Sequence, residues 1–153
     1  METLRKLTSQ QTGKCGELLV QYQLLKHGVE SAPMTTDYGV DLVAFHAAKR
    51  KTVTIQVKTS THRGTVEDKW VIWEIPEDCP ADFVAAVDLE RDKLWLFPTD
   101  KFKAEAAHSA KTKLRLWWNL PGFEAKRSKR REEMFRNYEM EAGIAREFGS
   151  NKQ

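Results

Sequence analysis

Residues 52–58 read Thr-Val-Thr-Ile-Gln-Val-Lys. In a strand this alternation sets Gln56 and Lys58 on one face and Val53, Ile55 and Val57 on the other. Asp41 lies upstream inside the apolar run Val40-Asp41-Leu42, where an aspartate is costly unless it is paired or holds a cation. A hairpin joining the two segments sets them about 5 Å apart, so Asp41 and Gln56 can offer oxygens to one site. Mg²⁺ prefers such oxygen ligands and keeps several of its waters. Lys58 can position or help deprotonate one of those waters and offset charge that builds on a phosphate. Glu17, further back, is a candidate fourth member as a ligand or nearby acid. The chemistry these residue types suit is hydrolysis of a phosphodiester by an activated water.

The elements that must position them can be read from pattern. A first helix is expected from a start between Ser9 and Gly13 to His27, with Leu18, Leu19, Tyr22 and Leu25 as its apolar stripe, Glu17 off that stripe and Gly28 as the cap. Val29 to Met34 reads as a short edge strand and Thr35 to Gly39 as a turn. Gly39 to Phe45 reads as a central strand, apolar on both faces. After a polar turn, Thr52 to Lys58 returns as the second arm of a hairpin. Thr59 to Asp68 is a polar loop. Strands follow at Lys69 to Ile75, Phe83 to Asp88 and Leu94 to Phe97, then a helix capped by Thr99 through about Ala107 and a late strand from Leu114 to Trp118. Glu124 to Phe148 reads as one charged helix with Phe135, Tyr138, Ala142 and Ala145 inward. The order implies an α/β (α+β) domain around a mixed sheet. Residues 1–153 read as one domain, with 124–148 as a helical C-terminal extension that can contact a partner or DNA.

The chain has 153 residues, suited to one domain, and 41% hydrophobic content is enough for a real core. A net charge of +3 implies no particular partner. Its distribution says more: from Lys111 to Arg131 there are eight Lys and Arg against one acid, Glu124. Such a stretch either neutralises phosphates or is a solvated face. Cys15 and Cys79 form no CxxC pair and no zinc pattern, which favours a reducing cytoplasm over a disulfide framework. No segment approaches the ~20 apolar residues of a membrane span, and the N-terminus lacks the apolar core of a signal peptide.

Glu17, then Gly39-Val40-Asp41-Leu42, then Ile55-Gln56-Val57-Lys58-Thr59-Ser60, resemble the motif of the PD-(D/E)XK nucleases. That superfamily includes many restriction enzymes, archaeal Holliday junction resolvases and a small group of intron-encoded homing endonucleases. The resemblance covers residues 9–62 and, in element order only, the later part. It implies a restriction-endonuclease-like αβββαβ core with a mixed central sheet, extra strands and a C-terminal helix. It implies catalytic roles for Glu17, Asp41, Gln56 and Lys58, with Asp41, Gln56 and Glu17 holding the metal and Lys58 acting on the water. It also implies Mg²⁺ as cofactor, with Mn²⁺ as a substitute, double-stranded DNA as substrate, and a homodimer or homotetramer, since one site per chain must be doubled to cut two strands. Two positions depart from the motif. Val40 stands where the motif has proline. Gln56 stands where it has an acid, so one negative charge is missing, and Glu17 or Asp37 is left to restore it. The Gln-x-Lys form is one that small homing endonucleases carry.

Bland readings stand beside these. Asp41 and Lys58 can be a simple salt bridge. His62 can assist proton transfer or be an ordinary exposed histidine; His27, His46 and His108 show no ligand spacing. Thr59 and Ser60, directly after Lys58, are placed to bond a phosphate, and Arg63, Lys69, Lys113 and Arg115 are further candidates for DNA contact. Of Trp117 and Trp118 strand alternation exposes at most one for stacking on bases. A DNA-binding module without catalysis, or a protein–protein module, fits the same fold.

Overall fold

The computed structural model describes residues 6–36, 38–123 and 130–149. Helix α1 spans Ser9–Lys26. Its start is fixed by a capping box: the Thr8 hydroxyl accepts from the Gln11 amide and the Gln11 side chain accepts from the Thr8 amide. Its end is fixed by Gly28, which takes φ of 78° beyond the His27 cap. Strands β1 (Glu30–Pro33), β2 (Leu42–His46) and β3 (Lys51–Ser60) then form an antiparallel meander. Residues 61–82 carry β4 (Arg63–Gly64) and β5 (Lys69–Pro76), after which β6 (Phe83–Asp88) pairs parallel to β3 and β7 (Lys93–Pro98) pairs antiparallel to β6. Helix α2 (Thr99–Glu105), β8 (Ala107–Ala110), β9 (Lys113–Asn119), a 3₁₀ turn (Glu132–Tyr138) and helix α3 (Met140–Phe148) complete the chain.

The strands make two sheets. Sheet A has the order β1-β2-β3-β6-β7 and is mixed; sheet B has the order β4-β5-β9-β8. All six residues of β6 are buried, because sheet A is covered on both sides there. Phe83, Ala85 and Val87, with Leu94 and Leu96 of β7, face a core closed by Val20 and Leu24 of α1 and by Met140, Ile144 and Phe148 of α3. Val84 and Ala86, with Trp95 and Phe97, face a second core closed by sheet B and Phe102 of α2. Trp73, Trp95 and Trp118 meet there with ring centroids 4.7–5.6 Å apart, in the tilted and edge-on arrangements that aromatic pairs prefer. The molecule is thus layered: α1 and α3, sheet A, sheet B.

Several expectations are corrected. The buried face of α1 is Gly16, Val20 and Leu24, while Leu18, Tyr22 and Leu25 are more than half exposed. The helix is apolar at too many angles for pattern to choose the face, and the need for a small residue under Thr59 chooses it instead. β2 is buried through Leu42, Ala44 and His46 only; Phe45 is exposed, because sheet B does not reach that part of sheet A. Thr99 does not cap α2. It is the first helical residue, and its hydroxyl donates to the Ala81 carbonyl at 2.6 Å. β8 was not expected. The proposed continuous C-terminal helix is, in its described part, a 3₁₀ turn and a separate α-helix, broken at Glu139, whose φ and ψ of −50° and 144° are extended. Its buried residues are Met140, Gly143, Ile144 and Phe148, not Ala142 and Ala145. Residues 124–129, with Lys126, Arg127 and Lys129 of the basic stretch, lie outside the described residues, as does Asp37.

Candidate active site

The site forms where the β2–β3 ladder begins. The Asp41 backbone is pinned from both sides: its amide donates to the Ile55 carbonyl and its carbonyl accepts from the Met34 amide, both at 2.9 Å. Its side chain then extends the ladder. Asp41 Oδ2 accepts from the Val57 amide and from Gln56 Nε2, each at 2.7 Å. Charge-assisted bonds of this length are among the stronger ones in proteins. The approach is shaped by Gly39, whose φ of 82° suits glycine and where a Cβ would sit 2.7 Å from Pro80 Cδ.

Gln56 is buried, and Lys58, two residues on, is half-buried on the same face of β3. Among the described residues the Lys58 ammonium has no ion pair or hydrogen bond, so the simple Asp41–Lys58 salt bridge is not what holds this site. Glu17 comes from α1, and its carboxylate lies 3.4 Å from Lys14 Nζ. Glu17, Asp41, Gln56, Lys58, Thr59 and Arg63 all line one open cleft of about 740 Å³, together with the first turns of α1 and with His62 and Glu90. α1 reaches this position because Gly16 lets it close on β3; a Cβ there would lie 1.8 Å from Thr59 Oγ1.

Other expected residues are placed differently. Thr59 Oγ1 is turned under α1, shut from solvent and, among the described residues, without a hydrogen-bond partner, so it does not face a phosphate. The Ser60 side chain is buried. Its hydroxyl donates to the Thr61 carbonyl at 2.8 Å and accepts from the Ile72 amide at 3.1 Å, which ties β3 to β5. Lys69 does not line the cleft, and its carbonyl accepts from Leu120 and Asn119. Lys113 and Arg115 lie on sheet B, within 3.5 and 3.3 Å of Glu74. The Ser109 hydroxyl, donating at 2.6 Å, does most to hold the Glu74 carboxyl below its usual range; partial burial opposes this and the two cations add to it. Trp118 is buried and Trp117 half-buried, as alternation requires.

One cluster escaped the sequence reading. Asp88, fully buried at the end of β6, accepts from His62 Nε2 at 3.0 Å and from Arg91 Nε at 2.5 Å. The His62 amide bonds the Glu90 carboxylate, and His62 Nδ1 lies 3.4 Å from it. Arg91 then forks onto Glu132, which also accepts from Trp118 Nε1 at 3.3 Å. Burial works against the Arg91 charge, but the bonds to Glu132 and Asp88 outweigh it and raise its pKa. Burial likewise favours neutral Glu132, yet Arg91, Lys93 and Trp118 hold its carboxyl below the ordinary value. His62 is therefore held between the Asp88 and Glu90 carboxylates at the rim of the cleft. The signal was present, since Asp88 interrupts an apolar run as Asp41 does.

The donor set suits a hard divalent cation. Gln56 commits its Nε2 to Asp41 and keeps its oxygen as an acceptor, and Asp41 and Glu17 bring carboxylates to the same cleft. All are oxygen donors, the set that Mg²⁺ and Mn²⁺ take. Among the described residues no three His, Cys, Asp and Glu gather closely, so the carboxylate count is low. No helix among them is long and apolar enough to cross a membrane, and Cys15 and Cys79 are free thiols.

The architecture is an α/β domain with a mixed central sheet and a C-terminal helix. The structure is similar to that of a bacterial homing endonuclease, I-Ssp6803I, with a TM-score of 0.63 and 18% sequence identity over 94% of this chain and 95% of that one. A Holliday junction resolvase, Hjc from the archaeon Archaeoglobus fulgidus, aligns with a TM-score of 0.48 and 17% identity over 72% of this chain and 86% of that one. No family model and no curated protein matches the chain.

Proposed function

We propose that this protein is a Mg²⁺-dependent DNA endonuclease, active as a homodimer or homotetramer, with Glu17, Asp41, Gln56 and Lys58 as its catalytic set and the homing type as the best-supported class. The observation that carries this reading is the cleft lined by a strand carboxylate, an amide, a helix carboxylate and an ammonium that among the described residues has no ion pair. Asp41, Gln56 and Glu17 would hold the metal, which when bound supplies an acidified water and neutralises phosphate charge. Gln56 and the Val57 amide keep Asp41 Oδ2 aimed. Lys58 donates hydrogen bonds to the attacking water or to a phosphate oxygen, where its charge counts most as the transition state gains negative charge. Duplication of the chain supplies the second cleft that cutting two strands requires.

The test is nicking of supercoiled plasmid with Mg²⁺ or Mn²⁺. Wild type is expected to cut, and Lys58→Ala and Asp41→Ala to lose about 10²-fold or more in rate, the scale on which a single stabilising donor acts. Glu17→Gln should also abolish cutting while leaving the unfolding midpoint unchanged, because Glu17 supplies the charge that Gln56 lacks. One observation favours a second reading, a DNA-binding module without catalysis: the neutral Gln56 in the acid's place. Wild type that binds duplex yet cuts with neither ion would select it.

A further inference from the structure

Beyond Lys58 the cleft opens into a second groove of about 410 Å³ that runs onto the outer face of sheet B. Strand alternation builds that face. β5 and β9 bury Val71, Trp73, Ile75, Leu114, Leu116 and Trp118, and so turn Trp70, Ile72, Glu74, Lys113, Arg115 and Trp117 outward. Register sets Ile72 opposite Trp117, Glu74 opposite Arg115, and Arg63 of β4 opposite Trp70.

We propose that this face is a duplex-docking platform: DNA leaving the cleft lies across sheet B, with phosphates on Arg63, Arg115 and Lys113 and with Trp117 and Ile72 against the sugars. The proposal rests on the nuclease reading and extends it to the DNA flanking the cut. Two observations carry it. The first is continuity, since Lys58, Thr59 and Arg63 line both the catalytic cleft and the second groove. The second is charge. Arg63, Lys113 and Arg115 stand against Glu74, the only acid among the outward residues of β5 and β9. Glu74 is the discriminating residue. It holds Lys113 and Arg115 in place before DNA arrives, and a phosphate must displace it to claim them. Arg63 among the described residues has no ion pair to give up.

The test is titration of a long linear duplex by anisotropy, without divalent ions and at several salt concentrations, using the full chain. Arg115→Ala should weaken binding and make the salt slope shallower by about 1, the signature of one lost phosphate contact. Glu74→Gln should act with the opposite sign and tighten binding, which loss of a merely structural ion pair would not do. Trp117→Ala should weaken binding with the slope unchanged. Trp117 is half-buried, so if Trp117→Ala unfolds, the Arg115 and Glu74 variants, which remove no packed ring, carry the test. If wild type binds and cuts but the Arg115 and Glu74 variants do not move affinity in opposite directions, the platform is wrong and the nuclease reading stands. If wild type neither binds nor cuts, both fall together.

Discussion

Gln56→Glu restores the acid of the motif, and the geometry makes its consequences calculable. Gln56 Nε2 lies 2.7 Å from Asp41 Oδ2, so the substitution replaces a donor with a second carboxylate at contact distance. The lost hydrogen bond to a charged group is worth about 1.5–3 kcal/mol. Two like charges about 4 Å apart repel by about 4 kcal/mol at an effective dielectric near 20. The new side chain cannot escape, because this position is 3% exposed. Protonation relieves part of the repulsion, so a net loss of about 2–4 kcal/mol is expected at pH 8 without divalent ions. In the variant the carboxylate pair binds a proton more readily folded than unfolded. Stability should therefore rise as pH falls from 8 towards about 5, whereas wild type has no titrating group at this position. Mg²⁺ should restore stability as well, by about 2.7 kcal/mol at a hundredfold excess over its dissociation constant. Urea unfolding followed by fluorescence of the buried tryptophans, at two pH values with and without Mg²⁺, measures all of this. An unchanged midpoint at pH 8 without metal refutes the role given to the Gln56–Asp41 bond. A deficit that neither acid nor Mg²⁺ reduces refutes its electrostatic origin.

Gly16→Ala should destabilise by about 1–3 kcal/mol, because the clash with Thr59 Oγ1 exceeds the roughly 1 kcal/mol gained in helix propensity. Adding Thr59→Ala should recover most of that loss in the same thermal melt. The depressed Glu132 pKa contributes stability that is present above its ordinary value of 4.5 and is lost as pH falls through the lower folded value. Glu132→Gln should thus cost about 1.5–3 kcal/mol near pH 7, where it leaves Arg91 with Asp88 as its remaining carboxylate, and should flatten the stability profile below about pH 4.5.

The legible parts of the chain were those governed by local period. The hairpin of β2 and β3, and the shared face of Gln56 and Lys58, follow from alternation, and Asp41 announced itself as an acid in an apolar run. Burial of Trp118 with partial exposure of Trp117 follows from the same rule. The inward face of α1 could not be read, because its position is decided by the contact of Gly16 with Thr59, and these are brought together only by the fold. Ser60 looked like a phosphate ligand for a similar reason: its buried bond to the Ile72 amide depends on how β5 crosses β3. The Asp88–Arg91–Glu132 network joins residues distant in sequence, so neither spacing nor composition marks it as a unit.

β6 and β7 give alternate side chains to two different cores. Neither the helical layer nor sheet B can loosen without baring one side of the same two strands, so the layers are bound into one cooperative unfolding unit rather than two separable subdomains. The floor of the cleft, carried on β3 beside β6, inherits that shared stability. Any loosening around the cleft must then come from the periphery, from the short β4 and the turns around it, while Gln56 and Lys58 stay on the most tightly held part of the molecule.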